Sequence, residues 1–107
     1  MTNKETQVLT FTGTESDTLY VNSKTLSALI VPNDPAFSLI TLTFKAGTSE
    51  NALYPLRDMQ GDLITVIIAP GSVYALDLPF FAGLAFLKLS ASGSLTGKQI
   101  TAIYREL

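Results

Sequence analysis

Between residues 37 and 47 the chain reads FSLITLTFKAG, with apolar side chains at every second position. Alternate side chains of a strand point to opposite faces. Ser38, Ile40, Leu42, Phe44 and Ala46 therefore share one side, and Phe37, Leu39, Thr41, Thr43 and Lys45 share the other. The first set is mostly apolar and is predicted to face a core. An amphipathic helix needs apolar residues three and four apart, and no stretch of the 107 residues supplies a convincing run of that kind.

The same grammar recurs in TQVLTFT, TLYVNS, TLSALIVP, VYALDL, LAFLKLS and QITAIYREL. Short strands broken by turn residues roughly every 8 to 12 positions mark a sandwich or barrel. The expectation is one all-β domain over residues 1–107, an antiparallel β-sandwich of about eight short strands, with the jelly roll as one form of it. Residues 1–6 are hydrophilic and read as an arm that either orders on a neighbouring subunit or frays.

Several local expectations follow. Pro55 lacks a backbone donor, so NALYPLRD belongs at an edge or bend. Gly61 centres a turn in MQGD. LITVIIA is apolar on both faces, which predicts a central strand covered on both sides. ASGSLTGK, with two glycines, reads as a flexible connection, and the last strand is expected to pair inside a sheet.

Charged residues make up only 15% of the chain, so Ser and Thr must cover much of its surface. Net charge is −2 and the seven basic residues are scattered, which argues against nucleic acid as a partner. Histidine and cysteine are both absent, removing imidazole bases, thiolate chemistry and the usual zinc sites. No cofactor-binding motif is present. The N-terminus lacks the apolar segment of a secretory signal, so the chain is expected to be made in the cytoplasm.

Residues 78–87 carry no charge and no hydrogen-bonding side chain. A membrane-spanning helix needs about 20 apolar residues, and Asp77, Pro79 and Lys88 bound this run too tightly, so no membrane is expected. Two uses remain open. Phe80 and Phe81 plug the core beneath a corner made by Pro79 and Gly83, or Phe80, Phe81 and Leu84 form an apolar contact with a second subunit.

Acidic pairs are the nearest thing to catalytic material: Glu15 with Asp17, and Asp58 with Asp62. Paired carboxylates about 5 to 9 Å apart can hydrolyse a glycoside, yet acidic residues beside glycine are ordinary turn formers. DMQGD lacks the spaced ligands of a calcium loop. No catalytic or metal-binding residue is therefore assigned. Tyr20, Tyr54, Tyr74 and Tyr104 are the candidates for stacking against a sugar.

Residues 53–56 (Leu-Tyr-Pro-Leu), 58–61 (an Asp-x-x-Gly turn), 63–69, 74–76, 81–83 (Phe-x-Gly), 86–90 (Phe-Leu-Lys-Leu-Ser) and 99–104 form a recognisable series. In these elements the chain resembles a group of small tailed-phage virion proteins, over roughly residues 50–105. Where that group often carries an Asp-Arg pair before its last strand, this chain has TGKQIT. The resemblance implies a non-enzymatic β-sandwich subunit that decorates, joins or completes a capsid or tail. It would sit in the virion as a homo-oligomer contacting other virion proteins, with no catalytic residues to carry over. The alternative from the residues alone is a small carbohydrate- or receptor-binding module.

Overall fold

The computed structural model describes residues 4–21, 24–76 and 85–106. Nine strands occupy them: β1 (Lys4–Thr12), β2 (Glu15–Tyr20), β3 (Lys24–Val31), β4 (Ile40–Ser49), β5 (Ala52–Pro55), β6 (Thr65–Ile68), β7 (Ser72–Ala75), β8 (Phe86–Ala91) and β9 (Gln99–Glu106). The only helical turn among the described residues is a 3-10 turn at Pro35–Phe37. Asp34 caps it by accepting the Ala36 N–H at 2.9 Å, and Pro35 presets its first residue. The chain is all-β, as the alternation predicted.

β5 and β6 both pair antiparallel with β4, β5 along residues 45–49 and β6 along residues 40–43. They form one edge strand interrupted by a small hairpin, which is closed by a bridge between Arg57 and Leu63. Counted so, the strands number eight. The first then pairs with the last, the second with the second-last, the third with the third-last, and the two middle strands with each other. β9 also pairs with β3 and β8 with β4. This is the pairing scheme of a jelly roll.

β1 makes the corner between layers. Its residues 4–10 pair with β9, while Phe11 and Thr12 pair with β2. The first layer therefore runs β7-β3-β9-β1, and the second runs β2-β8-β4-β5/β6. Leu9, Leu29, Ile100 and Ala102 of the first layer and Leu19, Leu42, Phe44, Leu87 and Leu89 of the second are buried in one cluster. Each large side chain so buried contributes roughly 1.5–3 kcal/mol. β4 buries Ile40, Leu42, Phe44 and Ala46, the alternation read from its sequence.

Three expectations are corrected. LITVIIA is not central: β6 is an edge strand beside β4, and Ile67 on its outer side is 71% exposed. Its second apolar face simply meets solvent. Phe37 does not lie on the outer side of a strand; it belongs to the 3-10 turn and is buried, because β4 begins only at Ile40. The ASGSLTGK connection is anchored. Leu95 is fully buried and donates its N–H to Gly13 O at 2.8 Å, and Lys98 Nζ lies 2.8 Å from Asp34 Oδ2. Pro55 does sit on an edge strand, and β9 lies between β1 and β3. Of the expected arm, Lys4, Glu5 and Thr6 pair with Arg105, Tyr104 and Ile103, and residues 1–3 lie outside the described residues.

Candidate interaction surface

Two β-bulges decide what each outer face presents. On β3, Leu26 pairs with Tyr104 and Ala28 with Ile103, so Ser27 is an extra residue. The bulge lets Leu26 turn inward while Ala28, two positions on, turns outward. Ser27 Oγ donates to Ile103 O at 3.0 Å, holding the irregularity in place. On β2, Glu15 pairs with Ser90 and Thr18 with Lys88, again one residue more than the partner strand. The buried Ser16 Oγ accepts the Leu89 N–H at 3.0 Å and donates to Asp17 O, satisfying the broken ladder. Glu15 is thereby carried to the outer face.

The first layer's outer face is built of rows in register. Val8 stands opposite Thr101, Thr101 opposite Ile30, and Ile30 opposite Val73. These three aliphatic residues are 48%, 37% and 66% exposed. The neighbouring row is Thr6, Ile103, Ala28 and Ala75. At ~4.8 Å per strand each row spans ~14 Å across four strands. Neither row contains a charged residue. The charged residues of these strands, Lys4, Glu5, Lys24, Arg105 and Glu106, all lie at one end.

The second layer's outer face differs. Its rows are Tyr20, Phe86 and Gly47; then Thr18, Lys88, Lys45 and Pro55; then Glu15, Ser90, Thr43 and Thr65. Lys45 and Lys88 face each other directly across the ladder, which is destabilising for like charges. Glu15 offsets this, bonding Lys45 through Oε2 and lying 3.9 Å from Lys88 Nζ through Oε1. The hydrogen bond from Lys45, with the positive charge of both lysines, lowers the Glu15 pKa below the usual carboxylate range. Beside this cluster Tyr20 is exposed and packs on Phe86, ring centroids 4.9 Å apart.

The four candidate tyrosines are not brought together. Tyr20 lies on that outer face and Tyr54 is exposed on the β5 edge. Tyr74 is half-buried on β7, its hydroxyl accepting the Ala69 N–H at 2.7 Å. Tyr104 is buried on β9, with Lys24 Nζ 5.5 Å from its ring centroid. Phe80, Phe81 and Leu84, the candidate subunit contact, lie outside the described residues.

The acidic candidates have local partners. Asp17 Oδ2 accepts the Thr10 N–H at 3.0 Å, tying β2 to β1. Asp58 Oδ1 accepts from the Gln60 and Asp62 N–H groups, and Arg57 reaches Gly61 O at 2.8 Å. Asp58 thus organises the tip of the edge hairpin, with Gly61 at a positive φ. Among the described residues no group of three or more His, Cys, Asp or Glu is placed to hold a metal ion. No described helix is long and apolar enough to cross a membrane.

Sequence reasoning missed the two rows of the first layer entirely. The only local sign is in KTLSALIV, where the buried positions fall at 25, 26, 29 and 31 and break strict alternation. No family model, curated protein or solved structure matches the chain.

Proposed function

We propose that the chain is a non-enzymatic structural protein of a tailed-phage virion, a capsid decoration or head–tail accessory subunit. It would be made in the host cytoplasm and work in the particle through protein–protein contacts, as a homo-oligomer and with other virion proteins. The observation that carries this reading is the pair of uncharged rows on the outer face of the first layer, with Val8, Ile30 and Val73 in one exposed row. Exposed aliphatic side chains gathered on one uncharged stretch of a sheet favour contact with another protein. The resemblance over residues 50–105 points the same way. Jelly rolls serve viral capsids and lectins alike, so the fold narrows the field without choosing within it.

The test is the protein content of purified particles of the phage that encodes the chain, by quantitative mass spectrometry. A fixed copy number relative to the major capsid protein is expected. Absence from particles, with the chain abundant in infected cells, contradicts the reading.

One observation favours the carbohydrate- or receptor-binding alternative. Tyr20 presents an exposed ring beside hydrogen-bonding Lys45, Lys88 and Glu15, which is the pairing a sugar-stacking site requires. A glycan-array signal abolished by Tyr20→Ala would move the assignment there.

A further inference from the structure

We infer that the outer face of the first layer is a self-association surface, on which a second copy of this chain docks face to face across a two-fold axis. This deepens the reading above, naming the face and its occupant, and it can fail separately from it.

Charge admits a second copy on this face and disfavours it on the other. A two-fold contact sets one patch against itself, so any charge near the axis meets its own equivalent. The second layer's outer face carries Lys45 and Lys88 around Glu15, and its edge hairpin carries Arg57, Asp58 and Asp62. The two rows of the first layer carry no charged residue, so they can meet their own copy without that penalty.

Relief points the same way. The row of Val8, Ile30 and Val73 is a ridge of branched side chains. Beside it Ala28 and Ala75 form a low stretch on β3 and β7. An axis running between the rows lays Ile30 and Val73 of each copy over Ala28 and Ala75 of the other, and Val8 over Thr6, so that residue i meets j and j meets i. Sheets packed in this way sit about 10 Å apart with interdigitated side chains.

The edges are consistent with this placement. The β5/β6 edge is guarded by Pro55 and by the hairpin that interrupts it, both devices that blunt pairing. β7 (Ser72–Ala75) has no proline and no charge, and among the described residues it pairs only with β3. Among the described residues no strand pairs with its outer edge.

The experiment is sedimentation velocity on the full chain over a concentration series, with Val73→Lys and Val8→Lys as face variants. Ile67→Lys makes the same apolar-to-charged change on the opposite layer. The wild type and Ile67→Lys are expected to dimerise with equal dissociation constants. Each face variant, burying a lysine in both copies, is expected to weaken the dimer roughly 100-fold while its thermal melt stays cooperative. Two face variants are used so that a folding defect in one leaves the other to decide. A wild type that is monomeric throughout, or dissociation by Ile67→Lys with both face variants intact, overturns the inference. A monomer would also remove the homo-oligomer from the reading above, while membership of the virion stands or falls on particle composition. A dimer with the expected variant pattern in a chain absent from particles would sustain the inference and overturn that membership.

Discussion

The two outer faces of the sandwich share one core and one strand grammar, yet they carry opposite surfaces. Each was set by a single extra residue. The bulge at Ser27 sends Ala28 outward beside Ile103 and completes the second of two uncharged rows. The bulge at Ser16 and Asp17 sends Glu15 outward between two lysines and completes a charged face. A bulge costs a ladder hydrogen bond unless a side chain replaces it, and serine does so in both places. The character of a sheet face is thus decided by register as much as by composition.

The broadest way to break the comparison is from beneath. Phe44 is fully buried on β4 in the cluster that both layers share. Phe44→Ala is expected to cost about 3–5 kcal/mol in urea denaturation and to loosen both layers together. Amide exchange that rises in β4 and β8 while β3 and β9 stay protected would show two independent layers instead.

Ser16→Ala strikes one face only. It removes the acceptor for the buried Leu89 N–H and should cost about 1–3 kcal/mol. Amide exchange should rise along β2 and β8 and leave the β3–β9 ladder unchanged. An equal rise in both layers would deny that each bulge is a local device.

Leu39 lies at the rim of the second layer with φ of 58° and its side chain 92% exposed. A leucine pays for that conformation and gains no burial in return. Leu39→Gly relieves the strain, less the entropy glycine brings to the unfolded chain, and should raise stability by about 0.5 kcal/mol. A loss of stability in a thermal melt would mean that the leucine side chain holds a contact in solution.

The smallest effect is electrostatic. Because the folded pKa of Glu15 is depressed, its contribution is complete above the ordinary carboxylate pKa. It is lost as pH falls through the lower folded value. Asp34, lowered by the Lys98 hydrogen bond and the Ala36 N–H, titrates in the same direction. Glu15→Gln should therefore reduce, and not abolish, the acid-side decline of stability between neutral pH and pH about 3. The change at neutral pH should stay under ~1 kcal/mol, as for other partly exposed pairs. An unchanged acid limb in urea melts would place the dependence elsewhere.

Much of the fold was legible. β4 declared its inward set through Ile40, Leu42, Phe44 and Ala46, and Pro55 marked an edge because it has no N–H to give a neighbour. The errors have a common cause. Period-two patterning reports that a residue has two faces around it, and not how many strands flank it. Hence Ile67, on an edge strand, resembled a core residue. Leu95 lies among serines and glycines, and no periodicity marks a single side chain that plugs a core from a loop. The candidate surface was the least legible part. Val8, Ile30, Val73 and Thr101 are spread over nearly the whole chain, and only the cross-strand register sets them side by side.

The most direct test of the uncharged face as a contact surface is methyl NMR of the full chain across a dilution series. The methyl signals of Val8, Ile30, Val73 and Ile103 should move together with concentration, while those of Ile67 and Val66 stay fixed. Signals that move at Ile67 and stay fixed at Val8, Ile30 and Val73, or that move nowhere at millimolar concentration, would contradict it.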